Sequence, residues 1–249
     1  MKKLSFYVLA LFLAFTSCSE APKKNGETAE APKSVEEIKA MLPTLSDAEK
    51  AAGFKVLFNG LTPEGWKVYQ TDSSNHWSIT AGVLSTTGGH NDLITKEEFE
   101  NFELIFDWKV SKGGNSGVIY MIQDEPKKYA NTYETGIEYQ VIDDKNWPDK
   151  LQEGQKAGAV YDLYAPTVAA AKDFDQWNTG KIISDKGHIQ HFINGQMVAD
   201  YVWNSPDYKA RFAKSKFKDW DFGKKSKGHI ALQDHGQAVA YRNIKIKVM

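Results

Sequence analysis

Near its end the chain carries Gln233-Asp234-His235-Gly236, a carboxylate beside an imidazole between two strand-like runs. Imidazole titrates near neutral pH, so such a pair can move a proton if a short turn aims both side chains outward. A turn with a solvated Asp and His has the same four residues. A second candidate is Gly136-Ile137-Glu138-Tyr139-Gln140-Val141-Ile142-Asp143-Asp144. In a strand, Ile137, Tyr139 and Val141 share one face, and Glu138 and Gln140 share the other. A carboxylate beside a carboxamide on a concave sheet suits sugar hydroxyls, and a shielded Glu can act as a general base. An ordinary polar outer face shows the same pattern. Asp143-Asp144 suits a hard cation such as calcium, although no full ligand loop follows.

Gly113-Gly114-Asn115-Ser116-Gly117 lets the backbone bend tightly or approach a ligand. It is not a phosphate loop, since no Lys-Ser/Thr and no helix follow; a hairpin turn is the simpler reading. His191 alternates with Ile189 and Ile193, which predicts a core-facing histidine with a satisfied hydrogen bond. No Gly-x-Ser-x-Gly elbow, His-Glu-x-x-His helix or Gly-x-Gly-x-x-Gly turn occurs, which sets aside a serine hydrolase, a zincin and a Rossmann enzyme.

The elements that must position these side chains are strands. Residues 102–110 alternate cleanly, with Phe102, Leu104, Phe106, Trp108 and Val110 on one face. Further strands are expected at 54–58, 66–69, 77–79, 83–84, 117–122, 136–142, 181–183, 188–193, 196–202, 229–232 and 240–248. Asn194-Gly195 is the sharpest hairpin signal. Helical periodicity nearly vanishes after Gly53. The pattern predicts an all-β chain, a β-sandwich or jelly roll, with short helices confined to the N-terminal part. Those helices are marked by two capping boxes, Ser34-Val35-Glu36-Glu37 and Ser46-Asp47-Ala48-Glu49. The basic, aromatic stretch 203–227 is long for a loop, which hints at a functional excursion.

Composition narrows the partner. The 249 residues carry a net charge of −1 and no long basic block, which weighs against nucleic acid. Seven Trp and eleven Tyr suit either a sugar-stacking surface or a β core. Lys2 and Lys3 precede an apolar run too short to span a membrane, followed by Thr16-Ser17-Cys18-Ser19. Cys18 is the single cysteine, so no disulfide can form within the chain. Its place resembles the lipobox of bacterial lipoproteins, departing from the commonest form at Phe15 and Thr16. The expectation is a signal peptide over 1–17, lipidation at Cys18, a flexible tether with a short helix over 18–46, and a folded domain over 47–249. That places the protein in a bacterial cell envelope, facing the periplasm, with its lipid as the only membrane contact.

The motifs taken together resemble the 3-keto-disaccharide hydrolase domain family. Those carrying the likeness are Leu57-Phe58-Asn59-Gly60, Asn115-Ser116-Gly117, Glu138-Tyr139-Gln140-Val141-Ile142-Asp143, Ala157-Gly158-Ala159-Val160-Tyr161, Trp177-Asn178, His191-Phe192-Ile193-Asn194-Gly195, Ser215-Lys216-Phe217-Lys218 and Leu232-Gln233-Asp234-His235-Gly236 with Arg242-Asn243-Ile244. The resemblance implies a concanavalin-like jelly roll acting on glucosides already oxidised to a ketone at C3. Such a ketone acidifies the C2 proton, so the C1 aglycone can leave by elimination and water can then add. The route needs a base, donors for the enolate oxygen and an acid, and requires no cofactor. The catalytic residues it implies are Glu138 and His235, with Asn115, Gln140, Asp143, Tyr161, Trp177, His191, Gln233 and Asp234 as substrate contacts. Strand parity further predicts that Glu138, Gln140, Gln233 and His235 line one pocket while Asp234 supports from behind. The chain departs from the family's pattern at Met121, where many relatives place a basic residue. The alternative function is a non-catalytic carbohydrate-binding jelly roll, since fold alone does not decide chemistry.

Overall fold

Phe102–Val110 alternates buried and half-exposed side chains along all nine residues, the period of two that its sequence predicts. It lies mid-sheet in a two-layer sandwich. The computed structural model describes residues 34–71 and 77–249, so the leader, Cys18 and the tether up to residue 33 lie outside the described residues. The strands in chain order are β1 Lys55–Val56, β2 Trp66–Val68, β3 Ser78–Thr80, β4 Val83–Thr86, β5 Leu93–Thr95, β6 Phe102–Val110, β7 Asn115–Ile122, β8 Ile137–Ile142, β9 Asn178–Asp185, β10 His188–Ile193, β11 Gln196–Val202, β12 His229–Leu232 and β13 Val239–Val248. Helices α1 Val35–Met41 and α2 Asp47–Ala51 precede them, and α3 Pro206–Phe212 follows β11.

The larger sheet runs β11-β10-β9-β6-β13-β4-β3, with β1 added on β13; the smaller runs β2-β5-β12-β7-β8. All pairings are antiparallel. The sheets pack through large aromatics. Phe106 meets Tyr139 edge-on at 5.3 Å between ring centroids, and Phe102 meets Tyr120 at 6.3 Å, the arrangement that ring quadrupoles favour. This is the all-β jelly-roll sandwich that the strand pattern predicts. On the outer face of the smaller sheet, Ile94, Ile119 and Ala231 form a second apolar cluster with Tyr69 and Ile122. Beside that cluster the outward face turns polar, and there the candidate site lies.

Both capping boxes form. Ser34 Oγ accepts from Glu37 N at 3.2 Å, and the Glu37 carboxylate accepts from Ser34 N at 2.7 Å; Ser46 and Glu49 repeat the geometry. The chain reaches the sandwich before residue 46. A Cβ on Gly82 would stand 2.3 Å from the Met41 carbonyl oxygen, and one on Gly60 would stand 2.9 Å from Pro43. Both glycines have positive φ, so the body accepts Met41–Pro43 only because these turns lack side chains.

Three elements differ from the sequence expectation. β5 was not foreseen, because Leu93-Ile94-Thr95 is buried on both faces and too short to show a period. α3 lies in the stretch read as irregular; Ser205 caps it and Pro206 opens it, a start signal that only seven helical residues follow. Residues 54–58 contribute only Lys55–Val56 to a ladder.

Candidate functional site

The site begins with the pairing of β7 and β8, which sets Gly117 opposite Gln140 and Ile119 opposite Glu138. Asn115, Ser116 and Gly117 each serve it differently. Gly117 makes room: a Cβ there would stand 2.5 Å from Glu138 Oε1, so a glycine lets the carboxyl lie flat over the sheet. Ser116 points inward and donates its hydroxyl to the Gln233 carbonyl at 2.6 Å, with Tyr241 OH 2.7 Å away. Gln233 N donates to the Gly117 carbonyl at 2.9 Å. These bonds extend the ladder one residue past β12 and fix the Gln233 side chain outward. Asn115 faces out beside it.

The cavity so formed, about 280 Å³, is lined by Asn115, Glu138, Gln140, Gln233 and His235 from the sheet and its following turn. Tyr133 and Tyr161 close two sides, and Lys216, Phe217 and Trp220 fold over from the 203–227 excursion. Tyr161 arrives because residues 158–161 pair along the edge of β8, with Gly158 N donating to the Gln140 carbonyl at 2.8 Å and Tyr161 N to that of Glu138 at 3.1 Å. Aromatic contacts hold the excursion: Phe217 stacks on Phe222 at 4.1 Å, and tilted pairs join Phe217 to Trp220 at 5.4 Å and Trp220 to Tyr133 at 5.9 Å. Lys216 Nζ lies 4.4 Å from the Tyr161 ring centroid, a cation over an aromatic face at the cavity wall.

Glu138 is 7 % exposed. Burial pushes its carboxyl up to about 8; the Lys216 ammonium pulls the other way and the Asp92 carboxylate adds to the rise. At pH 7 the group therefore holds its proton and is a donor. Two residues of the cavity wall each carry a buried acceptor, Asn115 Oδ1 and Gln233 Oε1, that bonds to nothing in the protein. Buried acceptors left unpaired are costly. His235 stands at the rim, exposed, its ring edge-on to Trp147 at 5.7 Å. Its Nδ1 is 3.1 Å from Gln237 Oε1. An amide oxygen accepts, so the hydrogen of this bond is on Nδ1.

The parity expectation for Glu138, Gln140, Gln233 and His235 matches this cavity, and Asn115 and Tyr161 join them. Asp143, Trp177, His191 and Asp234 do not line it. Asp143 ties two turns together, accepting from Gly113 N and Asn146 Nδ2, each at 2.9 Å. Trp177 lies against the larger sheet, with Arg242 4.1 Å and Lys109 5.3 Å from its ring. His191 is fully buried between Tyr120 OH at 3.0 Å and the Gly158 carbonyl at 3.1 Å, and burial lowers its pKa to about 4. It is the satisfied core histidine that its alternation predicts. Asp234 does not touch His235. Its carboxylate accepts from Thr86 Oγ1 at 2.9 Å, His90 N at 3.1 Å and Gly236 N at 2.9 Å, which locks the turn. Met121 is buried at a bulge with φ of 64° and is absent from the cavity wall.

Asp144 Oδ1 accepts from Ala157 N at 2.9 Å, so both carboxylates of the Asp143-Asp144 pair bond to protein donors. Among the described residues no three His, Cys, Asp or Glu side chains are grouped to hold a metal ion. Sequence reasoning did not single out Asp92, Tyr133, Phe217 or Trp220 as site residues. The available signal was the basic, aromatic composition of 203–227; Asp92 follows a Gly-Gly turn and carries none.

A family model for the 3-keto-alpha-glucoside-1,2-lyase-like domain matches residues 53–247. A relative from Bacteroides thetaiotaomicron, named 3-keto-disaccharide hydrolase, is 33% identical, the match covering 100% of each chain. A crystal structure from Parabacteroides distasonis superposes with a TM-score of 0.80 at 34% identity, covering 84% of this chain and 99% of that one. A second from the same organism gives a TM-score of 0.63 at 28% identity, covering 79% and 99%. The chain belongs to the 3-keto-alpha-glucoside-1,2-lyase-like family.

Proposed function

We propose that this protein is a glycoside-cleaving enzyme acting on 3-keto-glucosides by elimination across C1 and C2. The observation that carries the reading is the Glu138 carboxyl, buried, uncharged at neutral pH and set beside two unpaired acceptors in a sugar-sized cavity. An enolate needs a donor at its oxygen, and a neutral carboxylic acid in an apolar wall is such a donor. Neutral His235 Nε2 takes the C2 proton, and the C–H electron pair becomes the C2–C3 double bond of the enolate. Glu138 donates to the C3 oxygen as charge gathers there. The enolate then collapses, the C1–O bond breaks, and the imidazolium returns its proton to the departing oxygen. An enone remains, and water adding at C1 makes the net reaction a hydrolysis. Asn115 and Gln233 accept from ring hydroxyls, and the Lys216 ammonium supplies positive charge at the wall. The name of the Bacteroides relative agrees with this substrate class.

The test is incubation with a methyl 3-keto-glucoside, followed by nuclear magnetic resonance for released methanol and for the enone. Release with either enone or free 3-keto-glucose supports the reading. Sugar binding with no turnover would leave a carbohydrate-binding module in its place.

The same reading extends to export: a lipid on Cys18 would hold the domain at the envelope through the residues that precede α1. Cys18→Ser is expected to move the protein from the membrane fraction to a soluble exported pool, read by fractionation. Unchanged anchorage sinks the lipid assignment.

A further inference from the structure

Two loops help to wall the Glu138 cavity, and one carboxylate joins them. The first loop follows β7 and supplies Tyr133; the second is the 203–227 excursion, which supplies Lys216, Phe217 and Trp220. Asp221, next to Trp220, reaches across. Its carboxylate accepts from Tyr129 OH at 2.5 Å and from Lys128 Nζ at 2.9 Å, both on the first loop. Lys224 Nζ, on the excursion itself, adds a third donor at 2.6 Å. These donors hold the Asp221 carboxyl well below the usual carboxylate range, Lys224 most, then Tyr129 and Lys128. Tyr129 is in turn rooted in the sandwich: it is buried, and its carbonyl accepts from Tyr69 OH at 3.0 Å.

The excursion is fastened unequally. At its base, rings stack in series from Tyr201 to Tyr208, Phe212 and Phe222, and Phe217 lies on Phe222. The Lys216 N–H donates to the Asp162 carboxylate at 3.1 Å, and the Gly223 N–H to the Thr135 carbonyl at 2.8 Å. Half-buried Trp220 sits between these fixed points and meets Tyr133 and Phe217 at a tilt. Behind it is a further space of about 230 Å³, lined by Lys128, Tyr129, Glu134, Asp219, Trp220 and Asp221. Trp220 is therefore a partition with room on both sides. Ion pairs at a partly exposed carboxylate are weak and screened by salt, whereas ring packing is not screened. The Asp221 contact is the one that yields first.

We propose that Trp220 is a gate on the Glu138 cavity and that Asp221 is the positioning residue that latches it shut. With the latch released, the indole swings into the space behind. The effect on catalysis, which rests on the reaction proposed above, is on binding. Glu138 and His235 come from the sheet and its following turn, so an open gate leaves them in place and takes one aromatic wall from the bound ring. Asp221→Ala is expected to raise KM for methyl 3-keto-glucoside about 3- to 10-fold, the worth of one aromatic contact, with kcat unchanged. Raising sodium chloride from about 0.1 to about 1 M shortens the reach of charge from about 10 to about 3 Å. That should raise the wild-type KM and leave the KM of Asp221→Ala flat, since the substrate carries no charge. A fall in kcat at unchanged KM, or no change in either, overturns the latch. Fluorine nuclear magnetic resonance of protein carrying fluorotryptophan reads the gate without chemistry, the Trp220 signal being the one lost in Trp220→Phe. That signal should move in Asp221→Ala and in Tyr129→Phe, which cuts the same bridge from the other loop. A signal that stays in place in both variants overturns the gate. A shifted signal in a protein that turns over no keto-glucoside upholds the gate and removes only the proposed reaction.

Discussion

Glu138→Gln is expected to slow turnover of a 3-keto-glucoside by up to roughly 10²–10³-fold, the usual loss when a donor to the developing oxyanion is weakened or removed. Gln keeps the shape and can still donate a hydrogen bond, so binding should change far less than kcat. The pH profile separates this from a packing effect. Burial pushes Glu138 up to about 8, and the protonated form is the one that donates. The wild-type rate should therefore fall as pH rises through about 8, and that limb should be missing in the Gln variant. Stability gives an independent readout. The carboxyl's ordinary value is 4.5 and its folded value is about 8, so folding binds its proton more tightly. Its stabilising contribution is complete below 4.5 and is lost as pH rises from there through 8. Gln does not titrate. The variant should thus gain melting temperature over wild type across that window, by an amount worth on the order of a few kcal/mol at its upper end. A variant with full rate, an unaltered pH limb and no alkaline gain would show that the carboxyl is ionised and plays no part.

The part of the site most legible in the sequence lies on β8. Ile137-Glu138-Tyr139-Gln140-Val141 alternates over enough residues for parity to be read, and β-branched and aromatic side chains mark the inward face. His235 was harder, because it lies past the last ladder bond and its direction depends on Gly236, where φ is 99°. The Asp234-His235 pair looked like a proton relay, yet a turn has no parity; the carboxylate turned to Thr86 and two backbone N–H groups, and Gln237 took the imidazole. Asp143 shares a motif with Glu138 and Gln140, and Trp177 belongs to another motif of the same resemblance; both stand outside, Asp143 tying turns and Trp177 against the larger sheet. Asp92, Tyr133 and Trp220 were hidden for a different reason. They come from three separate segments and meet only through the fold, so no local spacing announces them. The jelly roll itself was readable because β6 and β10 follow their own alternation and the Asn194-Gly195 turn joins β10 to β11, while β5 is buried on both faces and shows no period.

His235→Ala should cost a similar factor, roughly 10²–10⁴-fold in kcat, by removing the base that takes the C2 proton. The position favours a clean test. His235 is exposed, and its described contacts are the Gln237 amide and the edge of Trp147, so its loss leaves the ladder and the Asp234 lock intact. The melting temperature should be unchanged. The gap left at the rim is open to solvent, so added imidazole should restore part of the rate in the variant and none in wild type. Gln237→Ala removes only the acceptor that holds hydrogen on Nδ1, and with it the preference for a basic Nε2. It should lower kcat by less than His235→Ala and leave KM alone, because Gln237 positions the ring and touches no substrate. Solvent exchange at C2 isolates the proton step: in deuterium oxide the wild-type protein should label C2 of a slowly eliminating 3-keto-glucoside, and His235→Ala should not. Labelling that survives the substitution assigns the base elsewhere, and the two unpaired acceptors beside Glu138 would then be the place to look for the water that serves.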